Sequence, residues 1–169
     1  MDLIKELYLR LKEDKQSNNI NINNLVENII KNKKMITICG PTCVGKTKIA
    51  IDLATVLKTD IISADSIQIY KGMDIGTDKY DTEKYNIKQY MTSIFNPDHH
   101  VTVVEFRDIC RKIIEDEFFL KDKIPVLVGG SGLYIRGVID DLEFIHGGDK
   151  TVRDRFTADI TKHDLSVYY

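Results

Sequence analysis

The chain has 169 residues, of which 43% are hydrophobic and 30% are charged, a length and composition that suit one domain with one hydrophobic core. Its 24 basic and 26 acidic residues give a net charge of −2. This balance excludes a globally basic nucleic-acid-binding protein, so any affinity for nucleic acid must come from a local basic patch.

The cysteines and histidines favour neither a disulfide framework nor a zinc site. Cys39, Cys43 and Cys110 contain no CxxC spacing, and the adjacent His99 and His100 do not share a helical face. No apolar run is long enough to span a membrane, and the N-terminal segment lacks the apolar core of a secretory signal. We therefore predict a cytoplasmic protein with reduced thiols and no membrane partner, with an organelle as the alternative compartment.

The first 34 residues are predicted to form a helical, Asn-rich N-terminal extension without chemistry of its own. Leucines at helical spacing predict an amphipathic helix over residues 2–14. The polar run in residues 16–24 indicates a linker, and residues 25–34 are predicted to form a second short helix that ends in lysines.

From residue 35 to residue 169 strands alternate with helices, which predicts an α/β domain with a mostly parallel sheet. Thr102 followed by Glu105 indicates a capping box at the start of one helix. The predicted strands are 35–39, 60–64, 124–128 and, more weakly, 90–95, and the predicted helices are 46–58, 102–120 and 132–139.

The segment GPTCVGKT, residues 40–47, matches GxxxxGK[ST] and lies between a predicted strand and a predicted helix. Its glycines let backbone N–H groups turn toward phosphate oxygens, Lys46 neutralises their charge, and the Thr47 hydroxyl is a ligand for Mg²⁺, the expected cofactor. This context predicts a three-layer, P-loop NTPase-like fold. The predicted diphosphate- or nucleotide-binding residues are Gly40, Pro41, Thr42, Cys43, Val44, Gly45, Lys46 and Thr47.

A second loop follows the strand in IISADSIQIYKGMDIGT, residues 61–77. Asp65 stands at the carboxyl end of this strand, the end that faces the ligand crevice in parallel sheets. The position alone leaves open whether Asp65 faces the reactants, caps a turn or holds Mg²⁺ through water. Gly72 and Gly76 indicate a sharply turned segment beyond it.

A third loop lies in IPVLVGGSGLYIRG, residues 124–137, where Gly129 and Gly130 permit close approach and Ser131 offers a hydroxyl. Many ATPases carry a metal-binding acid at the end of such a strand, and this strand has none. The absence argues against a hydrolase or a motor and for an enzyme whose essential carboxylate is Asp65.

These three motifs, in this order, resemble the tRNA dimethylallyltransferases, also called tRNA isopentenyltransferases, over residues 35–169. The resemblance implies transfer of a dimethylallyl group from dimethylallyl diphosphate to N6 of the adenosine next to the tRNA anticodon, with release of diphosphate. It implies two catalytic residues, with Thr42 near the bridging oxygen of the donor and Asp65 as the base. The implied tRNA-binding residues are Asp65, Ser66, Ile67, Gln68, Ser131 and Arg153.

The chain departs from the family pattern at three places, the first of which is the N-terminal extension over residues 1–34, which is not part of that pattern. Lys88, Gln89 and Tyr90 stand where the family commonly has Pro-His-His. Family members also continue past the position of Tyr169, so the resemblance implies a domain that is incomplete at its C-terminal end and allows a second polypeptide to complete the site.

Two other functions remain compatible with the sequence. One is an adenylate isopentenyltransferase that acts on AMP, ADP or ATP, although GMDIGT, residues 72–77, resembles the tRNA type more closely. The other is a fragment or subunit that binds diphosphate without catalysis.

Overall fold

The computed structural model describes residues 22–77, 79, 83–140, 142 and 150–162. The predicted helix over residues 2–14 lies outside these ranges. Within the described ranges no helix is long and apolar enough to cross a membrane. The helices are α1 (Ile22–Lys31), α2 (Lys46–Leu57), α3 (Val103–Ile113), α4 (Gly132–Ile139) and α5 (Lys150–Lys162), and the strands are β1 (Ile36–Cys39), β2 (Ile61–Ser63), β3 (Gln89–Tyr90) and β4 (Val126–Gly129).

The four strands form one parallel sheet in the order β1-β4-β2-β3. Val126 is the register partner of both Ile36 on β1 and Ile61 on β2, so β4 is hydrogen-bonded on both sides. The chain thus crosses over between every pair of neighbouring strands, which brings the carboxyl ends of β1, β4 and β2 to one edge.

The alternation of side chains along the strands divides the core into two layers, one on each face of the sheet. Val126 and Val128 pack with α2 residues such as Ala50, whereas Leu127 between them packs with Phe106 of α3 on the opposite face. The predicted P-loop NTPase-like, three-layer α/β fold is confirmed. It places α2 on one side of the sheet and α3 with α4 on the other.

Helix α4 has the predicted bounds, and β1, β2, β4 and α2 lie within two residues of theirs. The helix predicted at residues 25–34 instead begins at Ile22, inside the predicted linker. It ends early because Lys33 adopts a left-handed φ of 47°, and the Lys34 N–H then donates to the Ile29 carbonyl at 2.9 Å. Helix α5 was not predicted.

The weak strand predicted over residues 90–95 is shorter and begins earlier, at Gln89. Met91 and Ser93 have φ values of 61° and 52°, left-handed conformations that interrupt an extended strand. Pairing resumes only as an isolated bridge between Tyr70 and Phe95. The polypeptide therefore turns at the end of β3 and then runs parallel to residues 68–71 of the second loop.

The helix predicted over residues 102–120 is correct in extent but not in type. Thr102 is the N-cap of α3 and accepts a hydrogen bond from the Glu105 N–H at 3.1 Å. After α3 the chain continues as a π-helix, Ile114–Phe118, and a 3₁₀ turn, Phe119–Lys121. Apolar residues four positions apart are compatible with the wider turn of a π-helix as well as with an α-helix, so the sequence pattern does not distinguish the two helix types.

Candidate functional site

Loops from β1, β2 and β4 surround a cavity of about 460 Å³ at the carboxyl edge of the sheet. Its floor is made of strand residues and its walls are the three loops predicted to carry the chemistry. The lining residues are Thr42, Cys43, Gly45, Lys46, Thr47, Lys48, Ile51, Ile61, Ser63, Asp65, Ile67, Gln68, Gly76, Thr77, Gln89, Val128, Gly129 and Gly130.

The loop between β1 and α2 has the geometry of an anion cradle. Gly45 is the N-cap of α2 with a left-handed φ of 87°, a conformation that glycine adopts without strain. No side chain caps this helix end, so its first N–H groups and the positive end of the helix dipole face the loop. The Lys46 ammonium donates to the Pro41 carbonyl at 2.5 Å, which holds it over the loop and leaves further N–H donors for an anion.

Glycines let the other two loops approach without intervening side chains. A Cβ on Gly129 would overlap the Ala64 backbone, with the Ala64 Cα only 2.9 Å away, and a Cβ on Gly130 would lie 3.4 Å from the Gly40 carbonyl oxygen. The Ala64 N–H donates to the Val128 carbonyl at 2.7 Å. The third loop therefore lies between the P-loop and the loop that carries Asp65, in close backbone contact with both.

Asp65 uses one carboxylate oxygen to fix its own loop. Oδ1 accepts hydrogen bonds from the Ile67 N–H at 2.8 Å and the Gln68 N–H at 3.2 Å, so the carboxylate caps the turn that follows β2. The described residues provide no hydrogen bond to Oδ2. The carboxylate is half-buried and lines the same cavity as Lys46 and Thr47.

The Gln68 side chain ties the second loop to the sheet. Oε1 accepts from the Ser63 hydroxyl at 2.8 Å and from Gln89 Nε2 at 3.4 Å, while Nε2 donates to the Thr77 carbonyl at 2.8 Å. These partners come from β2, from β3 and from the far end of the same loop. The Gln68 amide is thereby fixed in one orientation at the cavity wall.

A buried lysine braces the remainder of this loop. The Lys79 side chain is 11% exposed, and its ammonium contacts the Asp74 carboxylate at 2.7 Å, the Tyr70 carbonyl at 2.6 Å and the Ser93 hydroxyl at 3.0 Å. Three oxygen partners compensate the loss of hydration around the charge. Lys79 was not predicted as a site residue, because its partners lie up to 14 residues away and no short motif contains them.

Comparison with known proteins identifies the family. The model of the IPP transferases matches residues 68–169, which is more than half of the chain, and the model of the isopentenyl transferases matches residues 33–92. The chain belongs to the IPP transferase family.

Its similarity to individual relatives extends over most of the chain. A tRNA dimethylallyltransferase from Bacillus mycoides is 43% identical over 142 residues, which are 83% of this chain and 44% of the relative. One from Bacillus cereus strain AH187 is 45% identical over 75% of this chain and 40% of the relative. The chain thus spans less than half the length of these relatives.

Solved structures agree with this assignment. The full-length tRNA isopentenylpyrophosphate transferase from Bacillus halodurans is 36% identical with a TM-score of 0.62, over 80% of this chain and 45% of that one. A eukaryotic dimethylallyltransferase acting on tRNA, at 24% identity and a TM-score of 0.61, shares the fold.

The structure brings most of the residues implied by the IPP transferase family to one place. The P-loop, Asp65, Ile67 and Gln68 line the cavity, whereas the Ser66 N–H donates to the Ser131 hydroxyl at 3.0 Å beside it. Gly40, Pro41 and Val44 belong to the loop but not to the lining. Arg153 lies on α5, and its side chain is outside the described part of the chain. The roles of these residues remain predictions.

The departure from the Pro-His-His of the family now has a structural description. Gln89 lines the cavity and donates to Gln68, whereas Tyr90 donates its hydroxyl to the Glu117 carboxylate at 2.8 Å on the α3 side of the sheet. Lys88 lies over the Tyr90 ring, 4.2 Å from its centroid. Burial raises the pKa of Tyr90 above its ordinary range, and the nearby Glu117 carboxylate raises it further. Hydrogen bonds from Lys121 and Tyr90 lower the pKa of Glu117. Gln89 thus belongs to the site, and Tyr90 belongs to the core.

The three cysteines, His99 and His100 lie within the described residues. All three cysteines are free, and burial raises the pKa of the Cys110 thiol to about 12. His99 stacks on Phe95 and contacts the Glu105 carboxylate at 3.0 Å. Among the described residues, no three His, Cys, Asp or Glu side chains cluster as a metal site. The capping box predicted from Thr102 and Glu105 is incomplete, because the Glu105 carboxylate contacts His99.

The close approach of the loops predicts different effects for two neighbouring glycines. Gly129→Ala should destabilise the protein by about 1–3 kcal/mol, because the added methyl must displace the Ala64 backbone. Gly132→Ala is the matched control, since no atom lies within 4 Å of its Cβ and alanine favours the helix that begins there. Urea unfolding of both variants checks this. Equal stability of the two variants would contradict the contact at Gly129.

Proposed function

We propose that this chain binds dimethylallyl diphosphate in the P-loop and provides the catalytic part of an enzyme that transfers the dimethylallyl group to N6 of the adenosine next to the anticodon of tRNA. The observation that carries the proposal is that the Asp65 carboxylate and the P-loop cradle line one cavity. The site for the diphosphate leaving group and the proton acceptor thereby lie in the same cavity.

The donor diphosphate is assigned to residues 40–47. The N–H groups at the start of α2 and the Lys46 ammonium supply hydrogen bonds and positive charge. Thr42 also lines the cavity, and we assign its hydroxyl to the bridging oxygen of the donor. Thr47, which follows Lys46, fits Mg²⁺ as a hydroxyl ligand. Mg²⁺ usually binds one or two protein oxygens together with substrate phosphates and water, and seldom a site made of protein ligands alone. When bound, Mg²⁺ supplies charge neutralisation to the departing diphosphate.

The reaction needs one bond to break, one to form and one proton to leave. The C1–O bond of the donor breaks as adenine N6 bonds to C1, and diphosphate leaves with the electron pair of the broken bond. The N6 proton becomes acidic once the new bond forms and passes to the Asp65 carboxylate. Since Oδ1 already caps the turn, Oδ2 is the oxygen that we assign as the base.

The acceptor is assigned to tRNA because both curated relatives described above are named tRNA dimethylallyltransferases. A free adenine nucleotide is the alternative acceptor. Since tRNA is the substrate, the cytoplasm is the proposed compartment. Dimethylallyl diphosphate and tRNA are the proposed partners, and a second polypeptide that contributes to the site is a further proposal.

Incubation of the chain with dimethylallyl diphosphate, Mg²⁺ and unmodified tRNA, followed by mass spectrometry of the nucleosides, tests the proposal. Prenylated adenosine in tRNA is the expected product. In a parallel reaction AMP replaces tRNA, and prenylated AMP alone would assign the chain to the free-nucleotide enzymes. Diphosphate binding without either product would make the chain a non-catalytic binding unit.

Loss of the P-loop cation should weaken donor binding. Lys46→Ala removes a charged contact worth about 1.5–3 kcal/mol, so the Kd for pyrophosphate should rise more than about tenfold. Lys112→Ala is the control, because this lysine is 80% exposed on α3. Calorimetry with pyrophosphate and Mg²⁺ measures both variants, and an unchanged Kd for Lys46→Ala would reject the P-loop assignment.

Replacing Asp65 by asparagine separates the base from the turn cap. The asparagine Oδ1 still accepts from the Ile67 and Gln68 N–H groups, so folding and pyrophosphate binding should persist, whereas turnover should fall by about 10²–10⁴. Asp108→Asn, at an exposed carboxylate on α3, is the control. Turnover at the wild-type rate would exclude Asp65 as the base. Parallel loss of pyrophosphate and Mg²⁺ binding would assign Asp65 to metal binding instead.

A further inference from the structure

An isoleucine at the rim of the cavity is fully in solvent. Ile75 is 99% exposed, although isoleucine is among the residues most often buried. It immediately precedes Gly76 and Thr77, which line the cavity. Two further apolar side chains of the same loop are also exposed, Ile67 by 48% and Met73 by 40%. All three belong to the loop that carries Asp65, and Ile67 itself lines the cavity.

The position of Ile75 is fixed by the loop on both sides of it. Before it, Asp74 is held by the buried ammonium of Lys79 at 2.7 Å. After it, Thr77 donates its hydroxyl to the Met73 carbonyl at 2.5 Å, and the Thr77 carbonyl accepts from Gln68 Nε2. Gly76 turns the chain with a φ of 81°. A braced loop that holds an apolar side chain in water loses hydrophobic stabilisation, which indicates a surface that is covered when a substrate binds.

The position of Asp65 inside the cavity restricts how the acceptor base can reach it. The cavity lining includes Ile61 and Val128, which are 2% and 7% exposed, and the half-buried Asp65, so a group that reacts with Asp65 must enter the cavity. An adenine stacked between its neighbours in an RNA loop cannot present N6 to such a site. The base must leave the stack, as in other enzymes that act on nucleobases, and it leaves an apolar gap behind.

We propose that Ile75 fills this gap: it inserts against the bases that flank the acceptor adenine and stabilises the extruded conformation of the RNA. This inference rests on the proposed function and adds a positioning residue to it. Apolar wedges of this kind, placed between neighbouring bases, stabilise unstacked nucleic acids. The exposed Lys71 on the same segment supplies a positive charge for the adjoining phosphates.

The test uses an anticodon stem-loop RNA with 2-aminopurine at the acceptor position. This base fluoresces when it leaves the stack and has no amino group at C6, so the signal reports extrusion without chemistry. Addition of the wild-type chain should raise the fluorescence. Ile75→Ala and Ile75→Ser should lose at least about half of the rise and lower kcat/KM for unlabelled RNA roughly tenfold, whereas Ile75→Leu should retain both.

Leu120→Ala is the matched control, because Leu120 is 71% exposed in the turn that precedes β4, whereas the cavity lies at the carboxyl end of that strand. Pyrophosphate binding and thermal unfolding should be unchanged in every variant. A full fluorescence rise with Ile75→Ala, or no rise with the wild-type chain, would overturn the inference. Prenylation of unlabelled RNA by the wild-type chain is scored separately, so a failure of the wedge is distinguished from a failure of the proposed function.

Discussion

The contact on which the site depends is made by backbone alone: Gly129 at the end of β4 lies directly on Ala64 at the end of β2. Since no side chain separates them, the loops that follow both strands begin at the same level. Two hydrogen bonds maintain this arrangement, from the Ser131 N–H to the Ala64 carbonyl and from the Ser66 N–H to the Ser131 hydroxyl. The hydroxyl implied by the family to contact tRNA is therefore also a structural link between two loops.

The two halves of the cavity are organised differently. On the acceptor side, the polar atoms of Gln68 and Lys79 are already committed to partners within the protein. On the donor side, the N–H groups that begin α2 have no side-chain cap. This difference suits the proposed reaction. Backbone dipoles that are already oriented can bind an anion without reorienting during the reaction, and side chains that are already hydrogen-bonded form a fixed surface for a nucleobase. In the proposed reaction the base lies against this wall and the leaving group stays at the helix end.

The features that the sequence predicted well are those encoded within a few residues. GPTCVGKT, residues 40–47, contains its own turn, cradle and helix start, and Asp65 follows directly from the end of an apolar strand. The features that it missed depend on distant contacts or on rare backbone conformations. Met91 adopts a positive φ without being glycine, which shortens β3, and no motif indicates that the Gln68 amide is held by atoms from three segments. Gln89 was noticed only as a departure from the family, because a single polar residue beside a weak strand indicates no particular partner.

The strand order also determines when the site is completed during synthesis. β4 lies between β1 and β2 in the sheet, yet it is the last of the four strands in the chain. Until β4 leaves the ribosome, the P-loop and the Asp65 turn belong to strands with no direct hydrogen bonds to each other: β1 has no strand partner, and β2 has one open edge beside its pairing with β3. Such edges pair readily with other chains, and long-range pairing is slow. The nascent protein therefore passes through an interval in which both loops exist and the cavity does not, and its yield of folded protein should depend on how long that interval lasts.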